Sequence, residues 1–138
     1  MANSLFLDTN GWLALLHAGD ARHQEADGKW RELIRQGYHV VLTDWIVAET
    51  GNGSSRSRDR RSVAAAAQAT ISDSRVELVV VNEELLGRSL ESFGRHQDKF
   101  WGLVDCASFI VMQERGIADA FTSDQHFEQA GFRCLLSA

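Results

Sequence analysis

The sequence predicts an α/β fold: a three-layer α/β/α sandwich in which a central parallel sheet of about five strands lies between helices. Short apolar runs bounded by polar residues, such as 5–7, are typical of strands that are buried on both faces. These runs alternate with segments of helical periodicity, and the alternation favours βαβ units and a parallel sheet. The chain has 138 residues, no evident internal repeat and no long linker, so we expect a single domain spanning 1–138.

Five segments have the composition of strands. The first is entirely apolar, and the third is dominated by β-branched residues, which favour strands. The last two are short segments that flank a small helical segment. In chain order, the predicted strands are 5–7, 39–43, 76–81, 120–122 and 132–136.

The segments between these strands have helical periodicity or are rich in alanine. The chain contains no proline, so nothing interrupts long helices. Residues that favour N-caps precede or begin several of them: Asn10, Asp20, Asp44, Asn82 and Asp124. Glycines that favour helix ends follow others: Gly37, Gly116 and Gly131. The predicted helices are 11–18, 20–36, 44–53, 62–71, 82–94, 103–115 and 125–130.

Composition excludes several classes of protein. With 44% hydrophobic and 24% charged residues, the chain is typical of a soluble globular protein. No apolar run reaches the roughly 18 residues of a membrane span, and no signal peptide is visible, so we expect a cytoplasmic protein. Cys106 and Cys134 lack metal-like spacing and are expected to be buried free thiols. The net charge of −5 argues against broad coating of nucleic acid, but it leaves room for a small local site.

Four acids occupy the ends of predicted strands or the first turns of predicted helices. Asp8 follows the first strand, Glu49 lies in the helix after the second, and Asp124 follows the fourth. Alone, Asp124 fits a plain N-cap and Glu49 a solvated helix residue. Because ligands of parallel α/β sheets bind at the carboxyl ends of the strands, we expect these acids to meet there.

The fourth acid, Asp105, lies in a segment that is otherwise apolar on every face apart from Ser108. A carboxylate on a buried helix costs several kcal/mol unless it is paired or bound to a metal. The chain offers it no obvious structural partner, although Arg133 and Lys99 remain open as candidates.

Acids gathered at one sheet edge repel each other unless a divalent cation neutralises them. Ligation by oxygen alone indicates Mg²⁺ or Mn²⁺. The five histidines show no metal-ligand spacing, and we expect them to be structural or surface residues: His17, His23, His39, His96 and His126.

In its motifs and their order, the sequence resembles the PIN-domain family, and within it the ribonuclease toxins of VapBC-type toxin–antitoxin pairs. Four stretches carry the resemblance, and together they span nearly the whole chain: Leu-Asp-Thr-Asn at 7–10, Ala-Glu at 48–49, Leu-Val-Asp-Cys-Ala-Ser-Phe at 103–109 and Ala-Phe-Thr-Ser-Asp-Gln-His-Phe-Glu-Gln-Ala-Gly-Phe at 120–132. The acids of the family match Asp8, Glu49, Asp105 and Asp124. A polar residue that often precedes the third acid by three positions is Gly102 here, which puts one hydrogen bond to that acid in question.

The resemblance implies a Mg²⁺- or Mn²⁺-dependent endoribonuclease with these four acids as catalytic residues. The metal is then held by Asp8 and Asp105, with Asp124 nearby or acting through water, and Glu49 is the best candidate for a general base. Thr9 and Asn10 are expected to bond the scissile phosphate or to orient Asp8, and Ser123 is expected to contact the substrate or to support the acids.

The resemblance also implies three partners: an RNA substrate, a cognate antitoxin and a second copy of the chain in a homodimer. A basic segment can attract the RNA backbone, although it is equally typical of a solvated loop; its arginines are Arg56, Arg58, Arg60 and Arg61. Four tryptophans are many for one small domain, so we expect some of them to remain at a surface that serves as an interface: Trp12, Trp30, Trp45 and Trp101.

Three other functions compete with this interpretation. A receiver-type phosphoacceptor domain needs an acidic pair after the first strand and a lysine after the last, but no lysine follows Lys99. A haloacid-dehalogenase-type phosphatase needs a second aspartate two residues after Asp8, where Asn10 stands. A catalytically inert PIN scaffold that binds RNA or a protein is opposed by the presence of all four acids, which an inert domain has no physical reason to keep.

Overall fold

A computed structural model describes residues 3–138 and contains a sheet of five strands, all parallel. The order of the strands across the sheet is β3-β2-β1-β4-β5, with helices on both faces, as in the predicted three-layer sandwich. The strands are β1 (Ser4–Leu7), β2 (His39–Thr43), β3 (Val76–Val79), β4 (Asp119–Phe121) and β5 (Arg133–Cys134).

Seven helices connect the strands in the described part of the chain. α5 and α6 follow each other without an intervening strand, as do α1 with α2 and α3 with α4. In order they are α1 (Thr9–Leu16), α2 (His23–Arg35), α3 (Asp44–Gly53), α4 (Arg60–Ser72), α5 (Glu83–Arg95), α6 (Leu103–Glu114) and α7 (Gln125–Gln129). Within residues 3–138, no helix has the length and hydrophobicity of a membrane span.

The centre of the sheet is the centre of the core. β1 lies between β2 and β4, and its Leu5, Phe6 and Leu7 have no solvent exposure. Burial on both faces explains why this strand is an uninterrupted apolar run. α1 packs closely on β4, since a Cβ atom added at Gly11 would lie 2.1 Å from the carbonyl oxygen of Phe121.

The strand order places a topological switch point between β1 and β4. From β1 the chain proceeds to β2 and β3 on one side, and it then returns to build β4 and β5 on the other side. Ligands of parallel α/β proteins bind at such a point, outside the carboxyl ends of the strands. The residues directly after β1 and β4, Asp8 and Thr122, therefore lie at the position where a ligand site is expected.

Several predicted boundaries are wrong by a few residues. α1 begins at Thr9, with Asp8 in the N-cap position, so the predicted N-cap Asn10 lies inside the helix. α2 begins at His23, because the Asp20 side chain accepts a hydrogen bond from the Arg22 main chain (2.8 Å) and closes a turn there. Such local bonds by Asp compete with helix formation.

Two strands are also shorter than predicted. β3 ends at Val79, and further along the Val81 N–H donates to the Asp44 side chain at 2.8 Å, outside the strand ladder. Asp44 is the first residue of α3, while Thr43 caps that helix through a bond from the Ile46 N–H. β5 has only the two residues Arg133–Cys134, and the N–H groups of Leu135 and Leu136 then donate to the carbonyls of Ala120 and Thr122.

The cysteines and tryptophans are distributed largely as expected. Cys106 and Cys134 are free thiols; Cys106 is buried and Cys134 is half-buried, although full burial of both was predicted. Only Trp12 among the four tryptophans is fully buried, which confirms that not all of them reach the core. The other three are half-buried rather than exposed, so the exposed aromatic rings of the described residues are not tryptophans.

Candidate active site

β1 delivers Asp8 to the carboxyl edge of the sheet, and the side chain is buried there. β1 ends at Leu7, and Asp8 is only 4% exposed. The hydroxyl of Thr122, a fully buried residue, donates to Asp8 Oδ2 at 2.8 Å. Strand register explains the contact: Leu7 pairs with Phe121, so the next residue of each strand lies beside the other.

The environment of Asp8 opposes its ionisation. Burial raises the pKa of Asp8 to about 7, and the hydrogen bond from Thr122 only partly counteracts that effect. The neighbouring charges of Asp105 and Asp124 raise this pKa further. The predicted crowding of acids is therefore present, and a cation at this point would relieve it.

Asn10 joins the first turn of α1 to the loop after β4. Its Oδ1 accepts hydrogen bonds from the Ser123 N–H at 2.8 Å and from the Ser123 hydroxyl at 3.0 Å. The Thr122 hydroxyl lies 3.2 Å away, but its single proton is already directed to Asp8 at the shorter distance. Asn10 and Ser123 are thus hydrogen-bonded to each other, and these bonds hold the loop that carries Asp124.

Thr122 is a supporting residue that the sequence analysis missed. Besides its bond to Asp8, its hydroxyl accepts the Asp124 N–H at 3.1 Å, so it connects two of the acids. The signal was present in the sequence: a threonine follows the fourth strand at the place where an aspartate follows the first. Only the pairing of β1 with β4, which no motif discloses, puts the two side by side.

Asp105 lies in the first turn of α6, where its side chain is 18% exposed. Its Oδ2 accepts from the Gly102 N–H at 3.0 Å and lies 3.1 Å from His126 Nδ1. Gly102 has no side chain to donate a bond to Asp105, and its main-chain N–H donates one instead. Burial raises the pKa of Asp105, while the bonds from Gly102 and His126 act against that rise.

His126 is a member of the acidic centre, which corrects its assignment as a structural or surface residue. Its Nδ1 lies 3.1 Å from Asp105 and 3.5 Å from Asp124 Oδ1. Asp124 is the N-cap of α7 and accepts the His126 N–H at 2.9 Å, so the cap fixes the start of the helix that presents the imidazole. The two candidate partners of Asp105 bond elsewhere: Arg133 pairs with Asp119 and Lys99 with Asp98.

Glu49 forms the exposed side of the centre. It lies on the second turn of α3, where its Oε1 accepts the hydroxyl of Thr9 at 2.5 Å. Thr9 directly follows Asp8, so this bond ties Glu49 to the buried acid through one peptide unit. Thr9 was expected to orient Asp8, but its hydroxyl bonds Glu49 instead, and the side-chain donor to Asp8 is Thr122.

The donor set fits a divalent metal ion. One ligand atom each from Asp105, Asp124 and His126 can be chosen so that all three lie within 4.8 Å of one another. A cation with ligand distances of about 2.0–2.6 Å can contact atoms that are spaced in this way. Asp8 adds a buried carboxylate whose proton would be displaced by such an ion. These donors support a divalent cation without selecting one metal.

The arginine segment lies beyond the helix that carries Glu49 rather than among the acids. It occupies the α3–α4 connection and the first turn of α4, and all four guanidinium groups are exposed. Within residues 3–138, none of the four forms an ion pair, which leaves their positive charge uncompensated: Arg56, Arg58, Arg60 and Arg61.

Together, fold and site define a class: a small parallel α/β domain with an acidic, metal-competent centre at its switch point. The PIN domain family model matches residues 5–133. The chain therefore belongs to the PIN domain family, and the resemblance seen in the sequence is confirmed.

Individual relatives agree with the family. The chain is 35% identical over 131 residues to the 23S rRNA-specific endonuclease VapC20 of Mycobacterium tuberculosis, covering 93% of this chain and 95% of that protein. The crystal structure of M. tuberculosis VapC20, a sarcin–ricin loop cleaving toxin, matches with a TM-score of 0.85 and 31% identity over 96% of this chain and 98% of that one.

A more distant structure shares the fold alone. VapBC2 from Rickettsia felis, solved with a DNA fragment of its promoter, matches with a TM-score of 0.66 and 15% identity. The match covers 93% of both chains. The three-layer architecture thus persists where little of the sequence does.

Proposed function

We propose that the protein is a metal-dependent endoribonuclease and the toxin of a toxin–antitoxin pair. The observation that carries the proposal is the convergence of Asp8, Asp105 and Asp124 at the switch point, with the pKa of Asp8 raised to about 7. A relative with 35% identity over nearly the whole chain is named as an endonuclease of 23S rRNA, which supports the same activity.

In this proposal the three aspartates hold Mg²⁺ or Mn²⁺, and Thr122 and His126 fix their orientation. Thr122 holds the Asp8 carboxylate by the bond at 2.8 Å, while His126 lies against both Asp105 and Asp124. When bound, the cation supplies Lewis-acid polarisation of the phosphodiester and lowers the pKa of water. Hydrogen-bonded supporting groups of this kind keep ligands in one rotamer and are worth 10- to 100-fold in activity or affinity.

Glu49 is proposed as the general base. Its exposed carboxylate can be reached by water, and Thr9 holds one of its oxygens and leaves the other free. In the reaction, a water oxygen attacks phosphorus while Glu49 accepts the proton of that water. The bond from phosphorus to the leaving ribose oxygen breaks, and that oxygen takes up a proton from solvent water and leaves as a hydroxyl.

The proposed substrate is the sarcin–ricin loop of 23S rRNA, by analogy with VapC20. An rRNA substrate places the protein in the cytoplasm. The four unpaired arginines beyond α3 are proposed to bind the RNA backbone, where they offset the repulsion from a protein of net charge −5.

Two protein partners complete the proposal. A cognate antitoxin is proposed to place an arginine or lysine among the acids, since a guanidinium matches a carboxylate pair. A second copy is proposed to cover the apolar stripe of α5, where Leu86, Leu90 and Phe93 are exposed at helical spacing. Light scattering tests the dimer: a strict monomer at micromolar concentration contradicts it.

The activity is tested on purified protein with an RNA hairpin that contains the sarcin–ricin loop. We expect cleavage at one position with Mg²⁺ or Mn²⁺ and none in EDTA, with activity restored by excess metal. Cleavage that persists in chelator contradicts the metal mechanism. An intact hairpin under all metal conditions, in the presence of correctly folded protein, contradicts the endoribonuclease itself.

A further inference from the structure

Phe100 is the most exposed large apolar residue in the described part of the chain. It is 93% exposed, whereas the other exposed large apolar residues range from 36% to 62%. Burying a phenylalanine stabilises a fold, and this ring gains almost none of that stabilisation. Single exposed apolar residues are ordinary in themselves, so the position of the ring decides whether it has a function.

Phe100 is close in the chain to a residue that holds an acid of the centre. It lies in the connection between α5 and α6, two residues before Gly102, whose N–H holds the Asp105 carboxylate at 3.0 Å. Consecutive Cα atoms are about 3.8 Å apart, so the Phe100 Cα lies within about 7.6 Å of the Gly102 Cα. Phe100 is therefore carried by the same short connection that holds the Asp105 carboxylate.

The connection that carries the ring is well anchored. Trp101 packs edge-on against Phe109 with ring centroids 5.1 Å apart, and its indole N–H donates to Gln129 at 3.1 Å. His96 packs on the same indole at 4.8 Å, and its carbonyl accepts the Lys99 N–H at 3.1 Å. Since Trp101 takes the inward position, its neighbour Phe100 is left in solvent by a fixed backbone.

We propose that Phe100 stacks on an unpaired base of the RNA substrate, next to the phosphate that is cleaved. The proposal rests on the endoribonuclease function given above and names how that site holds a single-stranded segment. Unpaired bases are recognised by stacking on exposed aromatic rings, and the interaction tolerates any base because every base has a π-face. A ring that is almost fully exposed, two residues before the Gly102 N–H that holds Asp105, meets this requirement.

The flanking residue favours RNA over a protein ligand. Lys99 carries a half-exposed ammonium group whose pairing with Asp98, at 3.3 Å, is between exposed groups and easily exchanged for a phosphate. An anchor for a protein partner usually lies at the centre of a larger packed patch. Phe100 instead lies in the chain between Lys99 and Gly102, whose N–H holds an acid of the centre, and this order suits a base next to a phosphodiester.

The first test compares cleavage kinetics of Phe100→Ala, Phe100→Trp and the wild-type protein on the RNA hairpin. We expect Phe100→Ala to raise KM by about 5- to 100-fold with kcat changed less than about 3-fold, because the ring binds substrate without entering the chemistry. Phe100→Trp keeps an aromatic face and should restore KM. Val80→Ala is the control, since it removes an exposed apolar side chain that lies after β3 and has no role in the proposed site or interface.

The second test finds the base. Hairpins with one abasic nucleotide at each loop position are bound to wild-type and Phe100→Ala protein in Ca²⁺, and affinity is measured by fluorescence anisotropy. We expect one abasic position to weaken wild-type binding and to have no further effect on Phe100→Ala. A merely structural role for Phe100 would leave the losses additive at every position.

The outcomes separate this proposal from the proposed function. If the wild-type protein neither binds nor cleaves RNA, both fail. If the wild-type protein cleaves and Phe100→Ala has an unchanged KM, or Val80→Ala loses as much, only the stacking proposal is overturned. It is also overturned if Phe100→Ala keeps its RNA affinity and instead loses binding to a basic antitoxin peptide.

Discussion

The two sides of the acidic centre are built on different principles. On one side, Asp8 is buried at the end of the central strand and is held by a buried threonine. On the other side, Glu49 lies exposed on a helix with a single bond from Thr9. Negative charge on the buried carboxylate is unfavourable and can be neutralised by a cation, whereas the exposed carboxylate carries no such burial cost. The contrast shows that one part of the site concentrates negative charge, while the other part gives access to solvent.

The largest effect is expected from Asp8→Asn. Loss of a charged ligand should lower cleavage by at least about 10³-fold, because several kcal/mol of electrostatic stabilisation disappear. In EDTA at pH 8, the melting temperature should stay level or rise, since the variant buries an amide in place of a carboxylate. Cleavage assays and calorimetry measure the two quantities.

Asp27→Asn is the control for this variant. Asp27 pairs with Arg31 on the exposed face of α2, so its change should leave both the rate and the melting temperature nearly as they are. A large loss of stability in Asp8→Asn alone would show that Asp8 serves the fold as an anion, against the role given to it here.

Glu49→Gln should distinguish the exposed side of the centre from the buried side most clearly, because it is expected to lower the rate with little change in stability. Removing the general base is expected to lower kcat by about 10²- to 10⁴-fold. The free energy of unfolding should change by less than about 0.5 kcal/mol, because the residue is exposed and glutamine still accepts the Thr9 hydroxyl. Denaturant titration beside single-turnover kinetics checks both. A kcat within 3-fold of wild type removes Glu49 from the mechanism.

The pH dependence of stability should follow the buried side alone. The pKa of Asp8 is about 7 in the folded protein against 3.8 for the unfolded chain, so the folded state holds an extra proton between these values. In chelator, the free energy of unfolding should therefore fall as pH rises from about 4 to about 7, by up to about 4 kcal/mol.

The comparison of wild type with Asp8→Asn isolates this effect from other titrating groups. The wild-type curve should decline relative to that of the variant across the window and run parallel to it above pH 8. Curves that run parallel throughout would mean that Asp8 titrates as an ordinary carboxyl.

The smallest effect on cleavage is expected from Thr122→Val, which removes the hydroxyl between Asp8 and Asp124. Cleavage should fall by about 10- to 100-fold, with a higher metal concentration needed for half-maximal rate. The Asp124 N–H loses its acceptor, which should cost about 1–3 kcal/mol of stability. Thr122→Ser keeps the hydroxyl and should retain most of both. Equal defects in the serine variant would point to packing of the methyl group.

The sequence predicts the sheet better than it predicts the site. Strands with a continuous apolar run, such as β1, are determined by burial, and burial leaves a local signature. The placement of Asp8 follows from it, because an acid directly after a buried strand has only one edge to occupy. The predicted start of α1 is wrong by two residues. The Asn10 side chain does not cap the helix, because it bonds Ser123, a residue more than a hundred positions away.

His126 and Thr122 could not be identified as members of the site because each acquires its role by juxtaposition. His126 has no ligand spacing in the sequence and meets Asp105 only because α7 packs on α6. Thr122 meets Asp8 through the pairing of strands that are far apart in the chain. Their partners are set by strand order and helix packing, which patterns of a single segment do not encode.

The close approach of Gly11 to Phe121 also indicates a position at which mutations should inactivate the protein. Any side chain at position 11 would collide with the main chain of β4, and the helix that begins at Thr9 would have to move away from the sheet. That shift would carry Thr9 and Asn10 out of reach of Glu49 and Ser123. In a selection for survivors of toxin expression, alleles altered at codon 11 should therefore arise beside those altered at the acids, although no charged group has been touched.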